Sequence, residues 1–194
     1  VLPTLYQGTR LPVYIYRFLS PMPTAIIFDF MRFSTRDGPG IRTTVFFKGC
    51  PLACLLCHNP ESQRPRPELM FRPNLCIGCK ECIAACEACC ISDQNGVIIT
   101  DLVSCTLCEA CVEVCVAEAR EIVGRKMSVD EVMAEIRKDW AFYEQSGGGV
   151  TFSGGEPLQQ NEFLLAALQA CKAEEIHTAI DTCGYAPWEV LEAV

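Results

Sequence analysis

The sequence predicts an α/β fold of parallel βαβ units, interrupted by a small cysteine-built insert. Three observations lead there. From residue 41 onward, strand-like runs alternate with helix-like runs, the pattern of a parallel sheet with helical crossovers. A cysteine- or glycine-bearing loop follows each of three strands, and ligands of such folds sit at the carboxyl ends of strands. A cysteine run is duplicated within residues 76–115, and it belongs to neither strand nor helix periodicity.

Taken in order, residues 41–49 are β-branched and aromatic and read as the first strand, ending at Gly49 directly before a cysteine triplet. Residues 62–68, polar with two prolines, mark a boundary. In the duplicated run, Cys76, Cys79, Cys82 and Cys86 recur as Cys105, Cys108, Cys111 and Cys115, with 96–100 between them as a hairpin strand. A module this small needs metal to complete its core. Ser128 and Glu131 form a capping-box pattern. Val129, Val132, Met133, Ile136, Trp140 and Tyr143 follow at helical spacing until Gly147, Gly148 and Gly149 stop the helix. Residues 150–153 make the second strand and lead into Gly154, Gly155 and Glu156. A second helix carries Phe163, Leu164, Leu165, Leu168 and Cys171. Residues 177–181 form the third strand, ending in Thr182, Cys183 and Gly184, and a last helix begins near Trp188. The organisation that follows is an N-terminal extension (1–23, with Met22 a candidate start), a core segment with the cysteine triplet (24–65), the insert (66–124) and the continuing core (125–194).

Half of the 194 residues are hydrophobic, enough to bury a core, and the formal charge of −8 argues against binding nucleic acid through its phosphates. The apolar stretch from Leu11 to Met31 is broken by Arg17, Pro21, Pro23 and Asp29, so it is neither a signal peptide nor a membrane span. A cytoplasmic location is the expectation. Most of the 15 cysteines stand in tight C-x-x-C runs, too close for disulfides within a run, and disulfide scaffolds are usually shorter. Metal ligation in a reducing compartment fits better.

Cys50, Cys54 and Cys57 offer three thiolates on one loop. A 4Fe–4S cluster held by three ligands keeps one iron open, as a substrate-binding cluster requires. The bland alternative is zinc with His58 as fourth ligand, which the adjacency of His58 to Cys57 strains. The two C-x2-C-x2-C-x3-C runs are the bacterial ferredoxin arrangement, in which the fourth cysteine of each run ligates the other cluster. One cluster then takes Cys76, Cys79, Cys82 and Cys115, and the other Cys105, Cys108, Cys111 and Cys86. A zinc ribbon would leave four of these eight thiols unused. Glu87 and Val116 stand where a proline usually follows the fourth cysteine. Cys89, Cys90, Cys171 and Cys183 have no assigned role, and Cys89 and Cys90 compete with Cys86 for assignment. Gly154 and Gly155 would let the backbone approach a ligand closely, and an acidic group such as Glu156 can hold a ligand ammonium. Taken alone, Asp181 reads as a strand-end turn residue.

Gly38, Gly40, Arg42, Phe46, Gly49, the three cysteines and Asn59, at these spacings, resemble the signature of activating enzymes for glycyl radical enzymes, in the radical S-adenosylmethionine superfamily. The resemblance continues through Asp37–Gly40, Ser146–Gly149, Ser153–Pro157 and Asp181, Thr182 and Gly184, over roughly residues 24–194. The insert is similar to that of the subgroup serving glycerol dehydratase, choline lyase, benzylsuccinate synthase and arylacetate decarboxylase types.

The resemblance implies a partial (β/α)6 TIM-like barrel, here its N-terminal half, with an inserted dicluster ferredoxin-like domain. It implies three 4Fe–4S clusters and S-adenosylmethionine, chelated to the open iron. Gly154, Gly155 and Glu156 would hold the methionyl ammonium, and Asp181 and Thr182 would lie near the methionyl end, with a monovalent cation. Leu56 would cover the adenine where the family usually has an aromatic residue. Asp37, Gly38, Pro39 and Gly40 would face the glycyl loop of a partner glycyl radical enzyme, with flavodoxin or ferredoxin as reductant. One electron splits the sulfonium into methionine and a 5′-deoxyadenosyl radical, which takes a hydrogen atom from the partner's glycine. No nucleic acid or membrane partner is expected. Because only three of about six βα units are present, the chain is expected to be a fragment, poorly stable and inactive alone. Two readings compete: another peptide-modifying enzyme of the sulfatase-maturase type, and a ferredoxin-like electron carrier, which leaves Cys50–Cys57 and Gly154–Glu156 without a purpose.

Overall fold

A computed structural model describes residues 23–194, so residues 1–22 of the expected extension lie outside the described residues. Strand β1 (Thr24–Ser34) pairs antiparallel with β2 (Arg42–Phe47), the predicted first strand. The chain then leaves the sheet through β3 (Glu68–Phe71), α1 (Glu81–Ala84), the hairpin β4 (Ile91–Gln94) and β5 (Val97–Thr100), α2 (Ala110–Glu113) and β6 (Arg120–Val123). Antiparallel pairing of β3 with β6 closes this excursion at its base. Strand β7 (Arg125–Ser128) returns to pair with β1; α3 (Val129–Arg137) and α4 (Trp140–Ser146) lead to β8 (Gly149–Gly154). Helix α5 (Asn161–Ala173), β9 (His177–Ile180) and α6 (Trp188–Ala193) complete the order. The main sheet runs β7-β1-β2-β8-β9. Its β2, β8 and β9 are parallel, as the alternation of elements predicts.

Three features differ from the sequence expectation. Strand β1 lies in the expected core segment but precedes the strand read as the first. Its Ala25 and Ile27 are buried, but bulges between Ile27 and Asp29 and between Met31 and Ser34 switch the register, which hides the period-two signal. Glu68, placed in the boundary segment, starts a strand. The helix expected from Ser128 to Tyr143 begins with the predicted capping box but breaks at Asp139. That carboxylate turns inward to accept from Arg32 Nη1 (2.7 Å) and Thr43 Oγ1 (2.6 Å), and the backbone follows it.

One sheet face is apolar. Val45, Phe47, Val150 and Phe152 pack under α3 and α5, against Met133, Ile136, Phe163 and Leu164. By strand alternation, Arg42, Thr44, Thr151 and Ser153 face the other side, which is accordingly polar. The insert has its own small core of Leu69, Ile91 and Ile98 with Cys82, Cys86, Cys90 and Cys111.

Candidate cluster and ligand site

Residues 50–59 form a loop strapped at its base. Gly49 N–H donates to Ser62 O (2.6 Å) and Cys50 N–H to Gln63 O (3.0 Å). Lys48, 1 % exposed, runs under the strap and donates to Glu61 O (2.6 Å), Arg64 O (3.3 Å) and Glu68 Oε2 (3.0 Å). Burial works against the Glu68 carboxylate, but Lys48 and Arg64 outweigh it and hold its pKa below the usual range. The tip is open: Cys54 is exposed, Leu55 and Leu56 are almost fully so, and Cys50 and Cys57 are half-buried. A rigid base with an open rim of thiols and an uncovered Leu56 suits a cluster that takes a ligand on one side.

The loop after β8 is fastened to this strap. Gly155 N–H donates to Phe47 O and Glu156 N–H to Gly49 O, both at 2.8 Å. A Cβ on Gly154 would run into the Phe47 backbone, and one on Gly155 into Gly49 O. The close approach that these glycines permit is therefore to the strand that leads into the cysteine loop. Glu156 is fully buried, and its carboxylate accepts from Leu158 N–H (3.0 Å), Thr182 Oγ1 (2.8 and 2.9 Å) and Cys183 N–H (2.8 Å). It thus clasps the loop after β9. Asp181 accepts from Ser153 Oγ (2.8 Å) on the polar face. The Cys183 thiol is pushed up, first by the desolvation its neighbours impose even though the residue is exposed, then by Glu156 and, more weakly, Cys50. All three loops therefore meet at the carboxyl ends of β2, β8 and β9.

Asp37–Gly40 lies elsewhere on the polar face. The Asp37 carboxylate accepts from Ser34 Oγ (2.7 Å) and Thr44 Oγ1, and its carbonyl from Thr151 Oγ1 (2.7 Å). Buried Arg42 donates to Pro39 O (3.1 Å), Thr151 Oγ1 (2.7 Å) and Val150 O. Burial lowers the Arg42 pKa, while Tyr143 and Asp37 pull it up. Gly40, at φ +70°, sits against the Gly148 backbone where no Cβ fits. The segment bonds to Thr44 and Thr151 at mid-strand, about 10 Å before the carboxyl end of β2 at ~3.3 Å per residue.

In the insert, the eight run cysteines sort into two sets. Cys76, Cys79, Cys82 and Cys115 line one hollow. Cys105, Cys108, Cys111 and Cys86 line another, together with Cys90. The chain thus brings together the two crosswise sets that ferredoxin spacing predicts. The duplication extends to the backbone: Gly78 and Leu107 (φ +72° and +56°), Lys80 and Glu109 (+66° and +68°), and Cys89 and Glu118 (+50° and +49°) are matched left-handed positions. Burial raises the Cys90 pKa; in this closely coupled pair Cys86 goes down, burial opposing it and hydrogen bonds from Cys90 and nearby backbone outweighing that. Arg120, 3 % exposed, borders the first hollow and leaves Nη2 without a partner. A buried donor left open beside four thiols fits a group rich in sulfur acceptors. Among the described residues no three His, Cys, Asp or Glu side chains close on one point as a single metal ion requires.

Residues 36–193 match the family described as 4Fe-4S single cluster domain. The chain belongs to this family. Its relatives are activating enzymes of glycyl radical enzymes, in the radical S-adenosylmethionine family. The isethionate sulfite-lyase activating enzyme of Oleidesulfovibrio alaskensis is 43 % identical over 174 residues, 87 % of this chain and 56 % of the relative. The trans-4-hydroxy-L-proline dehydratase activating enzyme of Clostridioides difficile is 47 % identical over 170 residues, 87 % and 56 %. The benzylsuccinate synthase activating enzyme of Thauera aromatica is 47 % identical over 166 residues, 83 % and 50 %. The chain therefore spans about half the length of the relatives it matches. Among the described residues no helix is long and apolar enough to cross a membrane.

Within this 4Fe-4S family member, sequence reasoning missed three residues of the site. Lys48 carried a signal, a lone cation at the end of an apolar strand. Gln160 holds Lys48 O (2.8 Å) and Ile26 O (3.3 Å) through Nε2, pinning β1 to β2, and nothing local marks it. Arg120 stands five residues after Cys115 without a motif.

Proposed function

We propose that this chain supplies the cluster loop and the methionyl-binding edge of an activating enzyme. That enzyme reductively cleaves S-adenosylmethionine and takes a hydrogen atom from a backbone glycine of a partner glycyl radical enzyme. The observation that carries this reading is the convergence of Cys50–Cys57, Gly154–Glu156 and Asp181–Gly184 at the carboxyl ends of three adjoining parallel strands. A reduced 4Fe–4S cluster with one open iron supplies the electron that cleaves the sulfonium.

In this reading Cys50, Cys54 and Cys57 hold that cluster and Leu56 covers the adenine. With the Glu156 side chain engaged in clasping Thr182 and Cys183, carbonyl oxygens of the 154–156 loop receive the methionyl ammonium. Asp181, braced by Ser153, and Thr182 flank the methionyl end, where a monovalent cation can sit. Asp37–Gly40, braced by Arg42, faces the incoming glycyl loop across the polar face. That face is the inner wall of a partial (β/α)6 barrel, and residues 66–124 are a dicluster module that brings the cluster count to three. Flavodoxin or ferredoxin serves as reductant.

The test uses the full-length protein, reconstituted anaerobically, reduced, and mixed with S-adenosylmethionine and glycyl radical enzymes of the types its relatives activate. The expected result is 5′-deoxyadenosine release together with a glycyl radical signal in the partner. Release of 5′-deoxyadenosine with no radical on any glycyl radical enzyme would redirect the reading to another peptide substrate.

A further inference from the structure

We propose that Cys90 is an alternate ligand of the insert cluster assigned to Cys86, Cys105, Cys108 and Cys111, able to take the corner that Cys86 holds. The inference rests on the dicluster reading of the insert. A 4Fe–4S cluster offers four cysteine corners, yet five thiols line this hollow. The fifth is aimed at a corner already claimed: Cys90 Sγ lies 3.3 Å from Cys86 Sγ. A metal ~2.3 Å from one sulfur can stand equally near the other at that separation, so the two thiols address one iron.

The duplication supplies an internal comparison. Cys90 follows Cys86 by the same four residues that separate Ala119 from Cys115. The turn before each is the matched left-handed pair Cys89 and Glu118. Ala119, 1 % exposed, lines the other hollow. Where that site has a methyl group in its wall, this one has a second thiol. Cys90 is buried and held in place, its carbonyl accepting from Asp101 N–H at 2.8 Å. Cys89 does not compete, being exposed with its Sγ turned to Glu87 O at 3.7 Å. In the exchange, the Cys90 thiol gives its proton to the departing Cys86 sulfur as it binds iron, so charge and protons balance and no redox step is needed.

The experiment is an iron count on the full-length protein after anaerobic reconstitution, with electron paramagnetic resonance of the reduced clusters. Wild type should hold about twelve irons, as three clusters require. Cys86→Ala and Cys90→Ala should each keep about twelve, with altered signals for Cys86→Ala. The Cys86→Ala/Cys90→Ala double variant should fall to about eight, as should Cys115→Ala, whose site has no spare thiol. Cys86→Ala at about eight irons overturns the proposal and leaves the dicluster reading intact. A Cys86→Ala/Cys89→Ala variant that loses the cluster makes Cys89 the alternate and also overturns it. Wild type at about four irons overturns the dicluster reading and this proposal together. Should Cys86→Ala fail to fold, Cys86→Val, which also removes the donor atom, carries the same comparison.

Discussion

Replacing Glu156 by alanine should release the loop after β9 from the loop after β8. The carboxylate is fully buried and serves three donors: Leu158 N–H, Thr182 Oγ1 and Cys183 N–H. Hydrogen bonds to charged groups contribute about 1.5–3 kcal/mol each, but the three are not equal. Thr182 and Cys183 are exposed residues, so water replaces much of what they lose. Leu158 is 3 % exposed and its N–H would be orphaned, at about 1–3 kcal/mol. Adding a small cavity term gives roughly 2–4 kcal/mol for Glu156→Ala. Glu156→Gln keeps the volume and one acceptor for Leu158 but turns an amide toward Cys183 N–H, so about 1–2 kcal/mol is expected. Urea denaturation of the apoprotein measures both, and amide exchange at Cys183 should speed up in both. A Glu156→Ala protein within about 0.5 kcal/mol of wild type, with unchanged exchange at Cys183, would refute the clasp.

Lys48→Met should lower the denaturation midpoint by the equivalent of about 2–4 kcal/mol, since it leaves the carbonyls of Glu61 and Arg64 without this donor and Glu68 with Arg64 alone. The depressed Glu68 pKa stabilises the fold above the unfolded-state value of about 4.3 and is lost as pH falls through the folded value; a Glu68→Gln protein should therefore be less stable at neutral pH and show a shallower acid slope. Cys171 behaves oppositely: burial pushes its thiol up to about 12, so its contribution holds below about pH 8.5 and drains as pH rises toward 12, an alkaline slope that Cys171→Ala should flatten in thermal melts. Arg120→Met should keep the insert's iron but lower a cluster reduction potential, because a buried positive charge that favours the reduced state is gone; an unchanged redox titration would show that Arg120 does not face a cluster.

Much of the site was readable because its geometry is local. The cysteine runs place their thiols through one short helix and a few left-handed residues each, so the four thiols that line each hollow follow from local spacing. The Ser128–Glu131 cap spans a single turn, and the parallel strands β2, β8 and β9 each end in a recognisable loop. What escaped depends on distant partners. Helix α3 breaks because Asp139 is drawn to Arg32, 107 residues away in sequence. The clasp of Glu156 on Thr182 bridges 26 residues, so the acidic residue reads as a ligand-holder until the fold shows its partners. The strands β3 and β6 are four residues each, too short for periodicity to show. Bulges hide β1 in the same way.

The most direct test of the central claim is 5′-deoxyadenosine release by full-length Cys54→Ala beside wild type, under reducing anaerobic conditions with S-adenosylmethionine. Cys54 is the exposed thiol at the open rim of the loop and has no hydrogen bond to lose among the described residues. Wild type should form 5′-deoxyadenosine, and Cys54→Ala, folded and still carrying about eight irons in the insert, should form none. Undiminished release from Cys54→Ala would contradict the claim.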